Sequence, residues 1–370
     1  MIIGLDGSRA FLKYRTGIEE YSYQVIKHLR DTLPNDAQVR VYVRKKFTFE
    51  KGKLLCKLPE VDFSFPSNWE LRGLWAPRFW TQIRLSLEMA LHPPDTLFIP
   101  AHTVPVIHPK NTIVVIHGLE YEITPESYSG WERLYMRASI QYSVRAARRI
   151  IAVSENTKTD LEKLYKVASE KVTVIHEGFA GKKAEVSGVS RTQKTNTILF
   201  IGRIEERKNV KRIVEAFEIL KEKYNLPHQL ILAGKQGYGY EAIESKIKNS
   251  KYKNEIQELG YVTQEQKEKL LSEANLFVFP SLYEGFGLPI LEAQHFGVPV
   301  VTSNTSSLPE VAGEGAAFVD PLSTEEIAEK LQEVLALSKE GREELIMRGK
   351  RNLEGFSWQK CVENIATELS

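Results

Sequence analysis

Two glutamates flank a glycine-rich turn in Phe279-Pro-Ser-Leu-Tyr-Glu284-Gly285-Phe286-Gly287-Leu288-Pro-Ile-Leu-Glu292, with seven residues between the carboxylates. The apolar run Leu276–Phe279 leads in, Pro289 suits the first turn of a following helix, and Gly297 suits its close. Bare N–H groups at a helix start, beside two positions without side chains, suit an anion or an oxygen-rich ligand. Glu284 before the turn and Glu292 inside the helix can accept hydrogen bonds from two hydroxyls, as on a ribose or a hexose. Taken singly, the glycines are helix-entry residues and the glutamates dipole-favoured charges. Their combination between two strands has little reason to arise from folding alone.

Arg203 and Lys208 follow the strand-like Thr197–Ile201, where two fixed cations would offset a diphosphate and help it leave. A solvated helix-entry pair is the plainer alternative. His117 ends the apolar run Thr112–Ile116 and could donate to a sugar hydroxyl, or be a hydrogen-bonded structural histidine. His102, His108 and His176 also fall near strand ends and read as structural or acceptor-lining. Gly234-Lys-Gln-Gly237-Tyr-Gly239 follows a strand with spacing G-x-x-G-x-G, not the dinucleotide G-x-G-x-x-G, which weakens a dehydrogenase reading. No DxD-like pair sits at a comparable strand end, so no metal is expected.

The elements that must position these residues alternate in type. Strands are expected at Ile2–Leu5, Gln38–Val43, Thr96–Ile99, Thr112–Ile116, Ile150–Val153 and Lys171–Ile175, with helices near Gly17–Leu33, Trp80–Leu91, Trp131–Arg148 and Thr157–Tyr165. A second series has strands Thr197–Ile201, Gln229–Ala233, Ile256–Leu259, Leu276–Phe279, Pro299–Thr302 and Ala317–Val319. Its helices lie near Asn209–Lys223, Tyr240–Asn249, Gln264–Glu273, Pro289–Phe296 and Thr324–Leu337. This is an α/β chain of two tandem Rossmann-like domains facing each other across a cleft, with ligands beyond the carboxyl ends of the strands. The expected division is a first domain 1–180, a polar linker 181–196, a second domain 197–355, and a terminal helix 356–370 returning to the first domain. Ser357 would cap that helix and Trp358 anchor it.

The 370 residues suit two domains, and 42% hydrophobic with 26% charged residues excludes disorder. Cys56 and Cys361 form no CxxC, and a reducing compartment is expected. The start carries no cationic leader and no apolar run reaches the roughly 18 residues of a membrane span, so a cytoplasmic protein is expected, peripheral at most on the inner membrane face. Residues 1–200 carry 29 Lys/Arg and 21 Asp/Glu, 29 − 21 = +8, leaving 21 − 27 = −6 for 201–370. The basic half could face a membrane or phosphorylated acceptor, or simply be solvated. Leu74-Trp75-Ala-Pro-Arg78-Phe79-Trp80 and the cluster Arg145, Arg148 and Arg149 are the candidate contact residues, the alternative being a core helix with charged flanks. No nucleic-acid partner is expected.

The Glu284–Glu292 segment resembles the E-x7-E signature of retaining nucleotide-sugar glycosyltransferases of family 4, which have the two-Rossmann GT-B fold. Gly202-Arg203-Ile-Glu-Glu-Arg-Lys208-Asn209 resembles that family's G-R-x4-K-N segment, whose Arg and Lys neutralise the donor diphosphate and take a metal's electrostatic role. Thr16-Gly17-Ile-Glu-Glu-Tyr21 is similar to its glycine loop, Ile151-Ala-Val-Ser154-Glu-Asn-Thr to its strand-to-helix turn, and Ser307-Leu-Pro-Glu310-Val-Ala-Gly313 with Val319-Asp-Pro321 to a further segment. His117 matches the family's His-Asp, but Gly118 stands where the Asp would be. The resemblance implies that Gly17 lets its loop approach the phosphates, His117 contacts the transferred ring, and Glu284 with the Gly285–Leu288 backbone holds the sugar. It assigns the ribose to Glu292, acceptor binding to domain 1–180 and nucleotide-sugar binding to domain 197–355.

The expected reaction moves a hexose, with retention, from a nucleotide-diphosphate sugar to a glycan or lipid-linked acceptor, by front-face substitution without a metal. The look of the His117 strand, Pro125-Glu126 and Val174-Ile-His-Glu-Gly178 favours mannosyltransferases of polysaccharide assembly, with GDP-mannose first and UDP-glucose second as donor. An inactive sugar-nucleotide-binding partner subunit and a GT-B epimerase or phosphorylase are the alternatives.

Overall fold

The computed structural model describes the chain except residues 13, 14, 16, 51, 52, 77, 78, 180, 182–194 and 370, so most of the expected linker and Arg78 lie outside the described residues. Two compact units form: Met1–Leu119 with Trp131–Gly178 and Ser357–Ser370, and Phe179–Phe356 with Glu120–Gly130. Unlike a contiguous 1–180 segment, the first unit is interrupted, because Glu120–Gly130 cluster with the second.

In the first unit the described strands are β1 Ile2–Asp6, β2 Gln38–Arg44, β3 Lys46–Glu50, β4 Lys53–Lys57, β5 Trp69–Leu74, β6 Thr96–Ile99, β7 Asn111–Ile116, β8 Arg149–Ala152 and β9 Val172–Val174. Seven form a parallel sheet in the order β5-β2-β1-β6-β7-β8-β9, and β3 and β4 pair apart as an antiparallel hairpin. Val114, Val115 and Ile116 are fully buried, as expected of strands covered on both faces. β5 and the hairpin fall within Lys45–Trp75, where no strand is expected from the sequence. The helix expected over Trp80–Leu91 starts as a π-turn at Trp80–Leu85 and becomes α-helical at Ser86–Leu91. The helix Trp358–Leu369 packs on helix Ile18–Thr32 of the same unit, with Trp358 6% exposed and stacked 6.1 Å from His28.

The second unit has β10 Thr197–Ile201, β11 Gln229–Ala233, β12 Ile256–Gly260, β13 Leu276–Phe279, β14 Val300–Ser303 and β15 Ala317–Val319, all parallel in the order β12-β11-β10-β13-β14-β15. Phe200, Phe277 and Phe279 stack at the sheet centre with centroids 5.9–6.0 Å apart. Chain order reverses between β10 and β13, which makes their carboxyl ends the switch point where doubly wound sheets hold ligands. The two segments leaving that point are Gly202–Asn209 and Pro280–Gly287.

Candidate active site

The segment after β10 is fixed before it reaches its cations. Ile204 is buried, its N–H donates to the Lys235 carbonyl at 2.8 Å, and Gly237 donates back to the Ile204 carbonyl at 2.9 Å. A short 3-10 turn, Glu206–Lys208, then ends at Asn209, whose left-handed backbone (φ 61°) opens the helix Val210–Tyr224. The Asn209 amide, 3% exposed, donates to the carbonyls of Pro280 at 3.0 Å and Pro321 at 2.6 Å. One side chain thereby ties the cation loop to the loops after β13 and β15.

The glutamate loop is held through its backbone. Leu282 N–H donates to the Arg207 carbonyl at 2.9 Å. Ser306 Oγ accepts from Glu284 N at 3.0 Å and donates to its carbonyl at 2.6 Å, and Ser307 Oγ reaches the carbonyls of Glu284 and Phe286 at 2.9 and 2.6 Å. Gly287 then takes φ 126°, a region open to glycine, and no side chain caps the helix Leu288–His295 that follows. Pro289 has no N–H and Ile290 N–H turns back to the Gly287 carbonyl at 3.0 Å, so the N–H with no side-chain cap at the helix start is that of Leu288. Gly285, Phe286 and Leu288 complete this turn, as the sequence predicts.

Lys208 and Glu284 meet as a largely buried ion pair, Nζ to Oε1, with side chains 12% and 11% exposed. Burial pushes the Glu284 carboxyl up, but Lys208 and then Arg207 more than offset it and hold it below the ordinary carboxylate range. Burial likewise lowers the Lys208 ammonium, with Glu284 opposing. The stable arrangement is carboxylate with ammonium. Arg203 differs: its side chain is 66% exposed, with one ion pair to Glu205 at 3.4 Å. Glu292 pairs with Lys267 of helix Gln264–Glu273, a partner 25 residues away that no local pattern announces. Arg207, which donates to both Glu284 and Glu205, is a further charged group that motif spacing does not single out.

From the second unit's own crossover segment, Glu120 and Tyr128 face this cluster electrostatically. Burial and then Glu120 push the Tyr128 hydroxyl up to about 12, against Arg207. Among the described residues no group of three or more His, Cys, Asp or Glu could hold a metal ion.

In the first unit, Gly17 precedes helix Ile18–Thr32 at φ 43°, and a methyl group there would meet no atom within 4 Å, so its need for glycine lies in the backbone. His117 is buried with both ring nitrogens engaged: Nδ1 faces Glu177 Oε1 at 3.1 Å and Nε2 the Pro100 carbonyl at 2.8 Å. Both partners are acceptors, so the ring donates inside the protein, and the donation to a ligand expected from the sequence has no spare nitrogen in this structure. His102 lies 5.3 Å from it, ring to ring, with left-handed backbone (φ 47°). Burial first, then His117 and Arg9, hold it well below the ordinary histidine range.

The stretch expected to mix exposed aromatics with arginine divides. Trp80 is buried, whereas Trp75 and Phe79 are 51% and 66% exposed, and Ile83, Leu87 and Leu91 follow Phe79 at four-residue intervals, all exposed. Arg148 and Arg149 are tied to Glu368 of the terminal helix. No described helix is long and apolar enough to cross a membrane.

Two family models cover the chain: Glycosyltransferase Family 4 matches residues 15–180 and Glycosyl transferases group 1 matches 182–352. The O-antigen chain mannosyltransferase B of Escherichia coli is 27% identical over 366 residues, 94% of each chain. The O-antigen chain mannosyltransferase RfbU of Salmonella typhimurium is 25% identical over 84% of each. HepE of Anabaena, solved with UDP and glucose, superposes with a TM-score of 0.69 over 100% of this chain and 98% of that one, at 16% identity, a likeness of fold. With two parallel Rossmann-like sheets and both models matched in tandem over residues 15–180 and 182–352, the chain is a glycosyltransferase of the GT-B fold, joining a Family 4 module to a group 1 module.

Proposed function

We propose that the chain is a retaining mannosyltransferase of polysaccharide assembly, moving mannose from GDP-mannose to a glycan or lipid-linked acceptor without a metal. The observation that carries the sugar is the resemblance to O-antigen mannosyltransferases over nearly the full length of both chains. The charges suit such a donor. Lys208 exchanges Glu284 for the diphosphate, and the exposed Arg203 swings in as the second cation. Glu284, freed from Lys208 at one oxygen, accepts from a sugar hydroxyl beside the Leu288 N–H. Glu292 leaves Lys267 for the ribose. His117 contacts the ring by giving up Glu177, the longer of its two contacts. The departing diphosphate helps accept the acceptor's proton.

The exposed Phe79, Ile83, Leu87 and Leu91 stripe supports peripheral membrane contact by the first module, where a lipid-linked acceptor would be met. A thermal-shift series with GDP-mannose, UDP-glucose and the free diphosphates, with and without magnesium, tests the donor. Stabilisation by GDP-mannose without magnesium, about 2.7 kcal/mol at one hundred times Kd, is expected. Stabilisation by UDP-glucose alone, or only with magnesium, overturns it.

A further inference from the structure

Arg207 holds one acid and is held by another. Its side chain, 13% exposed, donates from Nη1 to the Tyr283 carbonyl at 2.8 Å and to Glu284 Oε2 at 3.4 Å, and from Nη2 to Glu205 Oε1 at 2.8 Å. Lys208 takes the other Glu284 oxygen, Oε1. Each carboxylate oxygen of Glu284 therefore has its own cation. Glu205 is itself seated, because a Cβ at Gly237 would lie 2.6 Å from Glu205 Oε2. The Gly234–Gly239 loop, whose spacing fails as a dinucleotide turn, thus serves as a brace for the chain that carries Arg207.

We propose that Arg207 is a positioning residue for Glu284: seated by Glu205, it fixes the Tyr283 carbonyl and Glu284 Oε2 together, so that the carboxylate meets a sugar hydroxyl in one orientation. This rests on the donor site described above. When a diphosphate draws Lys208 away, Arg207 is the cation that stays on Glu284 and keeps it ionised and aimed. Only a planar fork can serve a carbonyl and two carboxylates at once, so lysine is an incomplete substitute. Glu284 is faced by Lys208, Arg207 and the Ser281 hydroxyl, and Arg207 by Glu284, Glu205, Glu120 and Tyr128.

The test compares Arg207→Met, Arg207→Lys and Glu205→Gln with the parent in GDP release from GDP-mannose, over donor concentrations from below KM to saturation and across pH 5–8, with melting temperatures alongside. In Arg207→Met, kcat should fall about 100-fold, the cost of a misplaced group, while donor KM moves less than about threefold. Its acid limb should move to higher pH, since with Lys208 drawn to the diphosphate no cation is left to oppose protonation of buried Glu284. Arg207→Lys should recover about tenfold of the loss, and Glu205→Gln should lie between Arg207→Met and the parent. Parent-like kcat in Arg207→Met, or a loss confined to donor KM, overturns the proposal. So does a loss that only tracks the unfolded fraction in all three variants. If Arg207→Met does not fold, the acid limb and kcat of the other two decide. A parent that neither binds nor turns over any sugar nucleotide refutes the donor-site reading instead, before any variant is compared.

Discussion

Asn209 is a sharp test of how the site is assembled, because one buried amide joins three loops. Replacing it with alanine removes the bonds to the Pro280 and Pro321 carbonyls and leaves both acceptors in a site 3% exposed. Each buried group left unpaired costs about 1–3 kcal/mol, and alanine at φ 61° adds about 1–2 kcal/mol. The expected loss is about 3–8 kcal/mol, or roughly 6–32 °C in the melting temperature of a unit this size. Two companions separate the terms in scanning calorimetry. Asn209→Gly relieves the backbone cost but not the lost bonds, so it should recover only about 1 kcal/mol. Asn209→Asp keeps shape and backbone preference but points carboxylate oxygens at two carbonyls, and should be at least as damaging as alanine. An aspartate variant as stable as the parent, or an alanine variant within about 1 kcal/mol of it, would refute the bridging role.

Arg203→Ala and Lys208→Ala should both weaken donor binding by calorimetry, yet differ in stability. The former leaves an exposed site with its melting temperature unchanged, while the latter strands Glu284 beside Arg207 and costs about 3–5 kcal/mol. Equal melting temperatures would show that the Lys208–Glu284 pair is not buried in solution. His102 should make the first unit acid-sensitive. Its folded pKa is depressed, so the unfolded chain binds the proton first and stability falls as pH drops below about 6.5, by up to about 2 kcal/mol at pH 5. Denaturation of His102→Gln at pH 7 and pH 5 should show that part of the acid loss removed, and an unchanged loss would place the sensitivity elsewhere.

Much of the scaffold is legible in the sequence, because a parallel strand covered on both faces must be a short apolar run and the helices between carry a 3.6-residue stripe. Thr96–Ile99, Thr197–Ile201, Gln229–Ala233, Leu276–Phe279 and Ala317–Val319 coincide with their expected bounds for that reason. Elements lacking the signal are missed: β5, with Glu70 and Arg72 at its interior positions, and the helix Lys339–Asn352, charged nearly all round with only Gly349 buried. The glycine turn, Lys208 and Glu284 are also legible, since helix-entry chemistry is local.

Which charge meets which is another matter. Glu177 lies 60 residues from His117, Lys267 lies 25 from Glu292, and Arg207 with Lys208 converges on Glu284 across 77 and 76. Ser306 and Ser307 hold the Glu284 loop from 22 and 23 residues away. Residue type and spacing determine that a glycine turn and two cations exist at strand ends. The order of strands β10 and β13 alone brings those ends side by side, and burial then decides that Lys208 and Arg207 are locked on Glu284 while Arg203, on the same segment, stays in water.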